Sequence, residues 1–520
     1  MVNQKHNMLD RTHSYDQMRA QVRWNLPERL NMAQQCLAHP AGQIAIYELE
    51  NGPVTYGDLE AKSAALARAM RASGIKRGDR VGVLRSQDAW TAAAHLAIWS
   101  IGAISVPLFT LFQSDALDTR TGDAGVSLII TDPENAKRKM TATSLVPDAL
   151  DVVSGARLQI AETAPNDPAC LIYTSGTTGA PKGALHGHKV LTGHLPGVEM
   201  SHDFLGQTDD CLWTPADWAW IGGLFDLLMP GLALGVPVVA ARLKKFTPEA
   251  CCDVLRRAPV RNVFFPPTAL RMLKAANVEL TSLRSVASGG EPLGAEMLEW
   301  GRPAFGLTIN EFYGQTECNM IASSSSFLFA PRPNCIGKPA AGFEIAILDA
   351  QGQPSLEEGD IAIQKGAASM MLEYWQRPEA TREKFKGDWM LTGDRGIWEQ
   401  GYLRFVGRED DVITSSGYRI GPAEIEDCLL AHNAVATVGV VGKPDPLRTE
   451  IVKAYVVLKS GIHSSNDLVI NLQAFVKDRL ASYSYPREIE FVDHLPMTVT
   501  GKVIRKELKA RACAELEGHS

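Results

Sequence analysis

What the chain lacks narrows the field first. Nine cysteines are spread over 520 residues with no Cys-x-x-Cys spacing, and Cys251 and Cys252 are adjacent, a poor geometry for a bridge. An odd count without a framework suits a reducing compartment. No unbroken apolar run reaches the roughly 18 residues of a membrane span. The first 23 residues are polar, carry both charge signs and hold no apolar stretch, so no secretory leader is expected. The end, Glu517-Gly518-His519-Ser520, is no lipidation signal. A basic excess is missing too: the net charge is −7, which argues against a nucleic-acid surface as the main task. These absences together point to a soluble, cytoplasmic protein.

What is present is globular. Hydrophobic residues make up 45% and charged residues 21%. The length exceeds one ordinary core, so two or more domains are expected. Along the chain, helix and strand patterns alternate. A helical stretch over 16–38, interrupted at Pro27, leads to a strand over 44–48 and a helix from Thr55 past Met70 to Gly74. A strand over 80–84, a helix over 90–100 and strands over 103–107 and 126–130 follow. Such alternation predicts layered α/β architecture with much parallel sheet. Between Pro133 and Pro168 the pattern weakens into surface connection. Residues 185–194 read as helix, and His186 and His188 within them read as structural. Past 422, a helix, two strands and a second helix describe a small α/β unit.

The most informative stretch runs Tyr173-Thr174-Ser175-Gly176-Thr177-Thr178-Gly179-Ala180-Pro181-Lys182-Gly183, after the apolar run 169–173. Glycines let the backbone turn and approach a ligand. Backbone N–H groups, hydroxyls and an ammonium together cradle phosphate oxygens. The common P-loop needs Gly-Lys-Ser/Thr leading into a helix, and here Gly183 follows the lysine. Five further stretches follow in order. Ser288-Gly289-Gly290-Glu291-Pro292 closes a strand, and Asn310-Glu311-Phe312-Tyr313-Gly314-Gln315-Thr316-Glu317 comes next. Leu391-Thr392-Gly393-Asp394 precedes Gly407-Arg408-Glu409-Asp410-Asp411, and Thr500-Gly501-Lys502 stands near the end.

In this order the motifs resemble those of the adenylate-forming synthetases, which include acyl-CoA synthetases, peptide-synthetase adenylation domains and luciferases. The resemblance runs from about residue 55 to 507, and the small unit is closest in pattern to the medium-chain acyl-CoA synthetases. It implies a large N-terminal domain over 1–409, of layered, mostly parallel sheets with flanking helices. A small mobile α/β domain over 410–520 would hinge at Asp410. It implies ATP, Mg²⁺ and CoA as cofactor and co-substrates, and a small carboxylic acid as substrate.

Residue by residue, the resemblance implies the following. Thr174 to Gly179 and Lys182 hold the pyrophosphate end of ATP. Gly290, Glu291 and Pro292 pack on adenine, with Glu311, Phe312, Gly314 and Gln315 in the same site. Tyr313 stacks on adenine, Thr316 bonds phosphate or carboxylate, and Glu317 holds magnesium, which suits an ion bound by one carboxylate plus substrate phosphates. Asp394 accepts from the ribose hydroxyls, Arg408 touches ribose and Arg419 reaches the phosphate. Lys502 neutralises carboxylate and α-phosphate during adenylation. Ser416, Gly417 and Tyr418 admit pantetheine, and Arg448 and Tyr485 lie by CoA. Trp220, Ile221, Gly222, Gly289 and Gly314 line the acyl pocket.

Acetyl-CoA synthetases carry Trp and Val where this chain has Gly314 and Gly289. Losing that bulk opens room, so a medium-chain or aromatic acid is expected. Two other activities fit parts of the pattern: loading of a separate carrier protein, and nucleotide binding without catalysis. The second would lack Glu317 or Lys502, and both are present.

Overall fold

The computed structural model describes residues 7–174, 181–243, 245–408, 411–415, 418–445, 448–480, 484–498 and 501–517. Among the described residues, four sheets carry the chain. The first has seven strands. Its centre, Arg80–Leu84, Ile104–Pro107 and Val126–Thr131, is parallel, and Ile104–Pro107 also pairs parallel with Pro168–Thr174. Beyond Pro168–Thr174 the sheet turns antiparallel, adding Lys182–Gly187 and then Glu373–Tyr374. The second sheet has nine strands. Asn310–Tyr313, Ser285–Gly289, Asn262–Phe264, Leu212–Trp213, Val238–Ala240 and Ile44–Glu48 run parallel.

Helices between these two sheets form in the way their sequences dictate. Thr55 caps Tyr56–Ala72 through a capping box with Asp58, and Asp88 caps Ala89–Ser100 through Thr91 N–H. Ala89–Ser100 is apolar all round, and it is buried all round. Its residues share one core with strand residues of both sheets, among them Val81, Val83, Leu212 and Val238. The third sheet is antiparallel: Ile345–Leu348, Gly359–Gln364, Trp389–Glu399, Phe385–Lys386 and Tyr402–Arg408. The fourth begins at Ile413 and builds the small C-terminal domain, with its own core around Ile425, Val440 and Ala454. Among the described residues, no helix is long and apolar enough to cross a membrane.

Two expectations fail here. The stretch over 16–38 is not one interrupted helix but two short ones, Tyr15–Ala20 and Met32–Cys36, capped by Ser14 and Asn31. The chain between them is bound elsewhere: Trp24 Nε1 donates to Gly342 O, and Leu30 N to Thr163 O. The stretch over 185–194 is divided as well. Lys182–Gly187 is a strand, and the helix begins only at Lys189. That strand pairs on both sides and is buried on both faces, so it has no alternation to betray it.

Inside the small domain, Arg505 donates to Glu426 at 2.5 Å and stands 3.6 Å from Asp411. Glu426 also accepts from Val440 N–H, which ties the base of the Lys502 loop to the domain's first helix and first long strand.

Candidate active site

The site grows from strand ends. Ser285–Gly289 and Asn310–Tyr313 are parallel neighbours, with Gly289 opposite Phe312. Their C-terminal ends therefore release Gly290-Glu291-Pro292 and Gly314-to-Glu317 side by side, where ligands bind in open α/β sheets. Gly290 has φ +100, a conformation that favours glycine. On the first sheet, Thr174 lies opposite Lys182, so residues 175–180 join the two arms of a hairpin. Ser175, Gly176, Thr177, Thr178 and Gly179 lie outside the described residues.

The third sheet closes the other side. Asp394 pairs with Arg408 across adjacent strands, and Arg408 Nε lies 3.7 Å from its carboxylate. Tyr313 Oη donates to Asp394 Oδ2 at 2.5 Å, and Gln315 Nε2 donates to Thr392 O at 3.0 Å. Burial raises the Asp394 carboxyl above its usual value, while Arg408 and the Tyr313 bond oppose it. Burial, then the Asp394 charge, pushes the Tyr313 phenol well above its usual value, so it stays a donor.

Lys502 comes to the same place from the small domain. Its Cε lies 3.8 Å from where a Cβ on Gly290 would stand. Withdrawal from water pulls its ammonium below the usual lysine value, with Glu291 opposing, Arg408 assisting and Asp394 opposing. The loop is held by Thr498, whose Oγ1 accepts from Lys502 N–H. Glu317 is 8% exposed and accepts from Tyr374 Oη. Among the described residues no group of three or more His, Cys, Asp or Glu could hold a metal. One carboxylate free of such a cluster fits magnesium, which is commonly held by one or two carboxylates and substrate phosphates.

Several expected residues make further contacts. Glu311 accepts from Leu293 N–H at 3.1 Å, so it holds the end of the 290–292 turn. Burial raises its carboxyl to about 8. Phe312 packs beside Phe264, their ring centroids 5.1 Å apart. The glycines expected at the acyl pocket do not open empty room. A Cβ on Gly289 would stand 2.4 Å from the Phe312 ring, one on Gly222 2.6 Å from the Trp220 ring, and one on Gly314 2.3 Å from Met320 N. Rings and backbone already occupy the space that the sequence left vacant. Trp220, Phe264 and Phe312 form a continuous aromatic wall, with Trp220 and Phe264 centroids 5.8 Å apart. Ile221 is buried in the core beside it.

Of the residues expected near CoA, Ser416 and Gly417 lie outside the described residues, as does Asp410, and of Tyr418 and Arg419 only the backbone strand is described. Arg448 N–H donates to Asp445, and Tyr485 packs on the small domain's core and accepts from Arg487. His188 Nδ1 accepts from Met32 N–H, and both it and His186 are fully buried, as structural histidines are. Tyr374 escapes a reading of the sequence, because its partner lies 57 residues away.

Two models cover most of the chain: "AMP-binding enzyme" over residues 32–375 and "AMP-binding enzyme C-terminal domain" over residues 424–502. The chain belongs to the AMP-binding enzyme family. Acetyl-coenzyme A synthetase of Bacillus subtilis (strain 168) is 34% identical over 487 residues, covering 88% of this chain and 84% of the relative. The mitochondrial acyl-coenzyme A synthetase ACSM2 of Rattus norvegicus is 34% identical over 477 residues, covering 85% and 82%. Among solved structures, the anthranilate CoA ligase AuaEII in complex with anthranoyl-AMP superposes with a TM-score of 0.85 at 26% identity, over 95% of this chain and 99% of that one. The resemblance read from the motifs of this AMP-binding enzyme is thus borne out, as is its fold class.

Proposed function

We propose that this AMP-binding enzyme activates a medium-chain or aromatic carboxylic acid and that the residues gathered at Gly290 carry out the first half of the reaction. The chain is an AMP-forming acyl-CoA synthetase. Carboxylic acid, ATP and CoA give acyl-CoA, AMP and diphosphate through an acyl-adenylate. In the first half, a carboxylate oxygen attacks the α-phosphorus and the bond to pyrophosphate breaks. In the second, the CoA thiol attacks the acyl carbonyl and AMP leaves.

The burden is charge on phosphoryl oxygens, so positioning and electrostatics do the catalysis. Magnesium, when bound at Glu317, neutralises part of that charge. Lys182 serves the pyrophosphate end, and Asp394 with Arg408 serves the ribose. Lys502 serves the α-phosphate and the incoming carboxylate. Its lowered affinity for a proton is offset once anionic oxygens arrive. The small domain, turning at Asp410, would then withdraw Lys502 for the thiol step. An aromatic wall of Trp220, Phe264 and Phe312 supports a slim apolar or planar acyl group. A cytoplasmic location belongs to the same reading, and nine unbridged cysteines suit it.

The observation that carries this reading is Lys502, reaching from the last loop to the turn at Gly290 and the Asp394–Arg408 pair. The test is Lys502→Ala in the two half-reactions. ATP–pyrophosphate exchange should fall by roughly a hundredfold or more, as for loss of a group that stabilises developing charge. Thioester formation from supplied acyl-adenylate should largely survive. Equal loss of both would refute the division of labour. An acid panel read by AMP release, with CoA and with carrier protein as acceptors, identifies the acid and the thiol.

A further inference from the structure

One aromatic residue touches both ends of the phosphate site, and no motif announces it. Tyr374 lies on the two-residue strand Glu373–Tyr374, antiparallel to Lys182–Gly187 and opposite Ala184. It is 6% exposed and packs on Ala184, Met371 and Ala380. Its hydroxyl donates to Glu317 Oε1. Its ring faces the ammonium of Lys182, 5.5 Å from the centroid, within the range of a cation–π contact.

The backbone around it is fixed from both sides. Met371 N–H donates to Glu317 O, and Trp375 N–H donates to Gly183 O, each at 2.7 Å. A little further on, Arg377 donates to Asp123 at 2.7 Å, and Tyr173, the residue before Thr174, donates to the same carboxylate at 2.7 Å. The segment 371–377 therefore braces the strand that enters the phosphate loop, the strand that leaves it, and Glu317.

We propose that Tyr374 is a positioning residue of the phosphate site, orienting the Glu317 carboxylate toward magnesium with its hydroxyl and the Lys182 ammonium toward the phosphates with its ring. This rests on the reading of Glu317 as the magnesium carboxylate and Lys182 as the pyrophosphate-side cation. The chemistry is consistent. A tyrosine hydroxyl donates to a carboxylate as a neutral phenol. It engages one carboxylate oxygen and leaves the other for a cation. Ligating carboxylates are themselves commonly hydrogen-bonded, and losing such a partner weakens metal affinity roughly 10- to 100-fold.

Two variants separate the two halves of the role. Tyr374→Phe keeps the ring and removes the hydroxyl. The magnesium concentration for half-maximal ATP–pyrophosphate exchange should rise roughly tenfold or more. Calorimetric titration with ATP should lose the same factor in the presence of magnesium and nothing in EDTA, where unchanged binding also certifies the fold. Tyr374→Leu removes the ring face as well and should weaken ATP binding even in EDTA, by a few-fold. A tyrosine that merely fills the core would lower the melting temperature and leave the magnesium dependence where it was. That result for Tyr374→Phe overturns the proposal. Glu317→Gln runs beside it. If Glu317→Gln moves the magnesium dependence and Tyr374→Phe does not, the role of Tyr374 fails while that of Glu317 stands. If neither moves it, the reading of Glu317 itself fails.

Discussion

The proposed nucleotide side and the proposed acyl side of this enzyme meet at Gly289 and Gly290 and are assembled by different means. On the nucleotide side, short polar stretches far apart in sequence are joined by directed bonds: Tyr313 to Asp394, Gln315 to Thr392, Glu317 to Tyr374. On the acyl side, no such bonds are needed. Bare backbone at Gly222 and Gly289 lets the Trp220 and Phe312 rings lie against it. The same residue type thus plays two parts within a few ångströms. At Gly290 it permits a positive φ, and at Gly289 it permits a ring to approach. A glycine that replaces a bulky residue in a relative does not by itself mean a larger pocket, because a neighbour can take the space.

The sharpest way to break this comparison is to strike a directed bond. Asp394→Ala removes the acceptor of Tyr313 and the partner of Arg408, and kcat/KM for ATP should fall by roughly a hundredfold, about 3 kcal/mol for charged hydrogen bonds. Steady-state kinetics with ATP varied would read it. A loss no larger than a few-fold would mean that the nucleotide side does not depend on that bond. On the acyl side the effect should be smaller and of another kind. Trp220→Ala removes a ring without breaking a hydrogen bond network, and the preferred acid should lengthen by several carbons, with discrimination changing roughly tenfold. Competition assays across an acid series measure this, and an unchanged preference would remove Trp220 from the pocket wall.

The smallest effect concerns Glu311, which serves the turn between the two sides. Its carboxyl is raised to about 8 in the folded chain by burial. A carboxyl so raised holds its proton more tightly folded than unfolded. Its contribution is full below the unfolded carboxylate range and is lost as pH climbs toward 8. Glu311→Gln keeps an acceptor for Leu293 N–H and removes that titration. Thermal melts from pH 5 to 8 should show a flatter decline than the parent. Parallel curves would show that Glu311 carries no such linkage.

Sequence makes the directed side readable and leaves the packed side dark. Tyr313, Glu317, Asp394 and Lys502 can be picked out because each sits in a short stretch of unusual composition. The convergence of the first two near Gly290 follows from two parallel strands ending together, in keeping with the alternating pattern. Tyr374 sits in an ordinary apolar stretch and gains its meaning only through a strand pairing with 182–187. That same pairing makes 182–187 unreadable as a strand, since burial on both faces erases its alternation. The N-terminal segment defeats a local reading because its partners, Gly342 and Thr163, belong to distant parts of the chain.

The clamp on Arg505 has a further consequence. Glu426 and Asp411, its two acidic neighbours, both lie on the small domain's side of the chain, as does the loop that carries Lys502. The ammonium is therefore indexed to that domain's own frame. Any swing of the domain would carry the charge along with the Arg505 clamp.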